Sequence, residues 1–192
     1  MTLDETRPIA LIGLMGAGKS TVARILGERL GVSVADLDSM IEAEEGHPIA
    51  ELFEREGEAW FRRRERDLLE RVLAGPVRVL ACGGGVVLDP ASREHLRRVC
   101  RVVWLRVPPE VAAARLAGPG PGPGFAGGHG RPLLGSGPPG ERLTDLLAAR
   151  GTLYDATAHL RVDTAGRDAE AVADAVLSAL PTVAGPEAEL RP

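Results

Sequence analysis

Short unbroken apolar runs alternate along the 192 residues with stretches in which apolar positions recur every three to four residues. Runs of the first kind lie at 8–13, 32–37, 77–82, 101–107 and 159–163, and their length and composition suit buried strands. Stretches of the second kind lie at about 19–30, 38–45, 48–54, 58–74, 90–98, 109–117, 139–156 and 168–180, the period of amphipathic helices. Five strands separated by helices predict an α/β fold in three layers, a five-stranded parallel sheet with helices on both faces. Ligands in such sheets gather beyond the carboxyl ends of the strands. The residues that follow each strand are therefore the first candidates for chemistry.

Composition narrows the partners. A hydrophobic content of 44% supports a full core, and a formal net charge of -4 argues against holding nucleic acid by bulk charge. No apolar stretch approaches the ~20 residues needed to span a bilayer, and residues 1–7 lack the apolar core of a secretion signal. The expectation is a cytoplasmic protein with small-molecule partners, folded as one domain over 1–180 with a flexible tail at 181–192. Cys82 and Cys100 have no paired Cys or His at metal-ligand spacing and read as reduced structural thiols. The four histidines are scattered singly and carry no assignment.

The first strand is followed by Gly13-Leu14-Met15-Gly16-Ala17-Gly18-Lys19-Ser20, then Thr21 and a helical pattern. Strand, glycine loop and helix in this order form the phosphate-binding P-loop, in which backbone N–H groups of Gly16, Ala17, Gly18, Lys19, Ser20 and Thr21 face phosphates at a helix N-terminus. Lys19 is the only lysine among 23 long basic side chains. A compact ammonium reaches between two phosphates, whereas a planar guanidinium suits a flat bidentate partner. The hydroxyl of Ser20 is placed to ligate Mg²⁺. A glycine-rich turn that binds nothing is the competing reading.

After the second strand comes Asp36-Leu37-Asp38. Two carboxylates here can divide labour, one toward the metal and its water, the other toward a second substrate. Asp38 as a simple helix N-cap is the alternative, which accounts for one carboxylate only. After the third strand comes Gly83-Gly84-Gly85, expected where backbone approaches something closely or takes positive φ. Before that strand, Arg62 falls on the edge of the apolar stripe of its helix, where its guanidinium could meet a carboxylate with Glu65 orienting it. Residues 118–140 hold ten Gly and six Pro, a composition that cannot pack a core. With Arg131-Pro132-Leu133-Leu134 embedded in it, this segment reads as a mobile lid that closes a cation over phosphates. Arg150, near the end of the next helix, is uninformative by itself.

Taken in order, GLMGAGKST, ADLD, GEAWFRRRE, CGGG, RPLL and ARGTLY resemble shikimate kinase over about residues 8–180. The resemblance implies a P-loop kinase fold of the nucleoside-monophosphate-kinase type with strand order 2-3-1-4-5. It implies transfer of the γ-phosphoryl group of ATP to the 3-hydroxyl of shikimate, on the way to chorismate and the aromatic amino acids, by a monomer. By position it makes Lys19 the ligand of the β and γ phosphates and assigns Mg²⁺ to Ser20 and Asp36. Asp38 becomes the general base, and Arg62 and Arg150 clamp the substrate carboxylate. Gly83, Gly84 and Gly85 supply the turn that meets the ring substituents, Arg131 covers the phosphates, and Arg115 and Arg167 flank the adenine. Two rivals are another small-molecule P-loop kinase, acting on gluconate or a nucleoside monophosphate, and a nucleotide-binding regulator without turnover. The first has no call for a carboxylate clamp beside a triple-glycine turn, and the second leaves the paired aspartates and spaced arginines without a use.

Overall fold

The structure is a computed structural model that describes residues 2–3, 7–118, 139–180 and 182–183. A two-residue strand β1 (Thr2–Leu3) is followed by β2 (Ile9–Ile12), β3 (Val34–Asp36), β4 (Val79–Ala81), β5 (Arg101–Arg106) and β6 (Leu160–Asp163), and the last strand is β7 (Thr182–Val183). Strands β2 to β6 form one parallel sheet in the order β3-β4-β2-β5-β6, which, counted within the sheet, is the expected 2-3-1-4-5. The central strand β2 pairs Ile9 with Val79 on one side and with Arg101 on the other. All four of its residues are buried, because helices cover both faces and leave no solvent side to favour polar alternation.

Helices α1 (Lys19–Leu30) and α8 (Ala169–Ala179) pack together on one face, and α5 (Pro90–Val99) and α7 (Pro139–Thr157) on the other. Between β3 and β4 the chain forms α2 (Leu37–Glu45), α3 (Ile49–Glu56) and α4 (Glu58–Leu73), which pack against one another. Buried Leu37, Ile41, Leu52 and Phe61 join this helical group to the core. Arg64 pairs with Glu44 and Glu45, and Arg71 with Glu44, at its partly exposed surface; solvent-accessible pairs of this kind contribute little beside the apolar contacts. Helix α6 (Pro109–Ala117) leads toward 118–140 and packs on α7.

Every expected strand and helix is present. The antiparallel β1–β7 pairing and a 3₁₀ turn at Val86–Leu88 are additions to the sequence reading, and Thr182–Val183 falls in the stretch expected to be a loose tail. Most of the lid, with Arg131, lies outside the described residues. Cys82 and Cys100 are both buried free thiols, as expected, and burial pushes both upward, Cys100 to about 12.

Candidate active site

A cavity of about 460 Å³ opens beyond the carboxyl ends of the strands. Its walls come from the segments after all five sheet strands: Met15–Val22 after β2, Asp36 and Asp38 at the end of β3, Cys82 with Gly84 and Gly85 after β4, Arg115 at the end of α6, and Thr164 with Arg167–Ala169 after β6. Helices α3 and α4 close the remaining side with Phe53, Phe61, Arg62 and Glu65. The volume falls within the ~300–1,000 Å³ range of small-molecule sites.

One end of the cavity is built for phosphates. Gly18, the residue before α1, has φ 89°, and Gly16 has φ 78°, backbone that a side chain would strain. Gly16 also lies so close to α6 that a Cβ would come 2.8 Å from the Ala112 carbonyl oxygen. These two glycines let the loop turn sharply onto the first turn of α1, where N–H groups with no carbonyl partner inside the helix and the helix dipole face the cavity. Lys19 Nζ donates to the carbonyls of Gly13 at 2.9 Å and Leu14 at 3.0 Å, so its ammonium is held at the loop mouth. At the same end Arg115 Nη1 donates to Gly16 O at 3.2 Å and to Thr164 Oγ1 at 3.0 Å, and Nη2 to Thr164 O at 2.7 Å. The guanidinium thereby ties the P-loop to the loop after β6, beside Arg167 and the α8 cap Asp168.

The other end gathers charge around the triple-glycine turn. The aspartates divide their roles differently from the simple cap reading: Asp36, not Asp38, caps α2, its Oδ1 accepting from Ser39 N at 3.1 Å. Because the helix starts directly at Leu37, Asp38 sits in its first turn and turns into the cavity. Burial pushes the Asp38 carboxyl up to about 7, reinforced by Glu65 and Asp36 and opposed by Lys19 and Arg62. Glu65 is buried, which raises its carboxyl too, with Arg62 opposing. Its Oε2 accepts from Arg62 Nη1 at 2.6 Å, and its Oε1 has no hydrogen-bond partner among the described residues.

Arg62 is where its helical position put it, on the inner edge of α4. Its guanidinium carbon lies 5.6 Å and 5.3 Å from the ring centroids of Phe53 and Phe61, which themselves stand 4.5 Å apart. Besides the Glu65 bond, Nε and Nη2 donate to Glu58 Oε1 at 3.4 and 3.3 Å. A guanidinium has five N–H donors, and these three bonds leave one on each terminal nitrogen, the paired fork that matches a carboxylate.

Gly83 and Gly85 are there for space. Neither has positive φ, so of the two sequence-based reasons only close approach applies. A Cβ on Gly83 would lie 2.3 Å from Glu65 Oε1 and 2.7 Å from Asp38 Oδ1, and one on Gly85 would lie 2.2 Å from Arg62 Nη1. Arg150 is buried behind the turn and does not line the cavity; its Nη1 donates to Gly84 O at 3.2 Å. Two participants had no signal that periodicity could supply: Phe53, on a helix whose apolar residues read as core, and Tyr154, whose hydroxyl also donates to Gly84 O across 70 positions of sequence.

The family model described as shikimate kinase matches residues 15–181. A shikimate kinase of Symbiobacterium thermophilum is 42% identical over 90% of this chain and 95% of its own length, and one of Paramagnetospirillum magneticum is 41% identical over 92% and 85%. Among solved structures, shikimate kinase from Acinetobacter baumannii in complex with shikimate superposes with a TM-score of 0.81 at 38% identity, covering 91% of this chain and 93% of that one. A gluconokinase from Sinorhizobium meliloti 1021 superposes with a TM-score of 0.55 at 19% identity over 91% of each chain, a likeness of fold alone.

Proposed function

The chain belongs to the shikimate kinase family, transferring a phosphoryl group from ATP to shikimate, and from that premise we propose how its residues divide the work. The observation that carries the reading is the cavity itself: a phosphate-binding loop at one end and, at the other, an arginine with N–H groups to spare and a half-buried aspartate around a bare glycine turn. Residues 1–180 act as one kinase domain, monomeric and cytoplasmic. No helix among the described residues is long and apolar enough to cross a membrane, and the net charge of -4 supports a small-molecule partner over nucleic acid.

Shikimate enters the acceptor end with its carboxylate on the two unspent N–H groups of Arg62. Arg150 adds a second positive charge from behind Gly84. The ring lies over Gly83–Gly85, where the absence of side chains leaves room and the amides of Gly84 and Gly85 are within reach. That pose aims the 3-hydroxyl at Asp38. At the donor end the N–H groups of residues 16–21 and the Lys19 ammonium hold the ATP phosphates, and Arg115 with Arg167 flanks the adenine. The 3-hydroxyl oxygen attacks the γ-phosphorus in line as the bond from that phosphorus to the bridging oxygen of ADP breaks, and the hydroxyl proton passes to the Asp38 carboxylate. Charge spreads over the transferring phosphoryl oxygens, so positioning and positive charge do most of the catalytic work. Arg131 of the lid is assigned to the same oxygens.

The donor set suits Mg²⁺. Ser20 and Asp36 line the cavity beside the P-loop, with Asp36 Oδ2 left over from its capping bond. No group of three or more acidic, His or Cys side chains among the described residues forms a metal cage. A cation bound by one or two side chains, phosphates and water is the usual magnesium arrangement. Ser20 and Asp36 would hold it, and when bound it neutralises phosphate charge.

An acceptor panel tests the assignment. With ATP and Mg²⁺, ADP release should require shikimate and remain at background with gluconate or a nucleoside monophosphate. Turnover with either of those in place of shikimate would overturn it.

A further inference from the structure

The Gly84 carbonyl receives two donors from one face of α7, Arg150 Nη1 and the Tyr154 hydroxyl. Their spacing of four residues brings both to the same side of the helix. Arg150 already supplies a positive charge behind the turn, but Tyr154 has no such part. It is completely buried and lies outside the cavity wall, so it cannot touch shikimate, and its ring stacks on Trp104 with centroids 5.6 Å apart. Packing alone would be served by phenylalanine. The hydroxyl therefore needs a separate explanation.

The peptide plane between Gly84 and Gly85 supplies one. No peptide bond among the described residues is cis, and in a trans peptide the C=O and the N–H of the next residue point in opposite directions. The Gly84 carbonyl points away from the cavity into α7, so the Gly85 N–H on the same plane points back toward it. Val86 N closes the turn onto Gly83 O at 3.2 Å, but the Gly85 N–H makes no hydrogen bond among the described residues. Gly84 also lies against the P-loop, where a Cβ would stand 3.6 Å from both Gly13 O and Met15 N, and Gly13 O is a carbonyl that receives Lys19. Turning this peptide would disturb the acceptor surface at the point where it meets the donor loop. Glycine has no side chain to resist such a turn.

We propose that Tyr154 is a positioning residue: its hydroxyl, through the Gly84 carbonyl, aims the Gly85 amide at the bound acceptor. The proposal rests on the placement of shikimate over Gly83–Gly85. Burial holds the phenol up at about 12, so it stays a hydrogen donor throughout the working pH range.

Tyr154→Phe keeps the ring and its stack and removes only the donor. Losing one hydrogen bond of ordinary strength corresponds to roughly a three- to tenfold effect. The expected result is a rise of that size in KM for shikimate, with KM for MgATP within about twofold and the melting temperature close to wild type. Trp104→Phe serves as the packing control and should lower the melting temperature without moving KM for shikimate. Unchanged shikimate kinetics in Tyr154→Phe would overturn the proposal, as would equal rises in both KM values or the same shikimate defect in Trp104→Phe. Wild-type turnover is measured alongside: its absence with shikimate would remove the acceptor assignment and this proposal together, whereas wild-type turnover with a silent Tyr154→Phe removes the hydroxyl's role alone.

Discussion

Asp38→Asn is expected to lower kcat by about 10²–10⁴, the usual worth of a positioned acid or base, while KM for ATP stays within a few-fold. Asparagine matches the volume and can still hydrogen-bond a hydroxyl, so what disappears is the ability to take the proton. A rate near wild type would remove Asp38 as the base. The same substitution should stabilise the ligand-free protein at neutral and alkaline pH. In the folded chain the carboxyl is raised to about 7, against ~3.9 unfolded. The folded state therefore binds the proton more tightly, and stability falls as pH climbs between those two values. Asparagine has no such penalty. Its melting temperature relative to wild type should climb from pH 4 to pH 8 and then level off, and a difference that is flat with pH would contradict the burial argument. A base held in a site that opposes its own charge is a local cost borne by the rest of the fold.

Lys19→Met should be the second severe loss, about 10²–10³ in kcat/KM for ATP, comparable to deleting a donor aimed at developing charge. The lysine is anchored by its position as the first residue of α1 and by the two carbonyls it meets at the loop mouth. Removing the ammonium leaves the apolar stem and the loop's backbone in place, so shikimate affinity should be spared. Lys19→Arg should fail to rescue, since a broad planar cation cannot enter the same space between phosphates. ADP release measured across an ATP titration separates these outcomes, and restoration by arginine would show that charge alone suffices there.

The parts of the site that the sequence made legible are those where a local pattern and a local structure coincide. The P-loop is one: strand, glycines, lysine and helix are consecutive in the sequence. Arg62 is another, because a 3.6-residue period says which way it faces. The aspartates were legible as a pair, but the capping bond that Asp36 makes was not. Which one caps α2 depends on where the helix begins, a one-residue difference that propensity does not settle. The triple glycine was visible as an anomaly, yet its cause was closure against Glu65, Asp38 and Arg62 from other elements, and contacts of that kind leave no periodic trace. Tyr154 shows the limit most clearly, since its partner lies 70 positions away and a tyrosine on a helix reads as core.

The division of one cavity into a donor end and an acceptor end is tested most directly by Arg62→Ala, with shikimate and a non-hydrolysable ATP analogue titrated separately by calorimetry. Removal of a bidentate charged contact should weaken shikimate by roughly ten- to a hundredfold, with binding of the nucleotide within about twofold of wild type. Equal losses for the two ligands, or undiminished shikimate affinity, would contradict it.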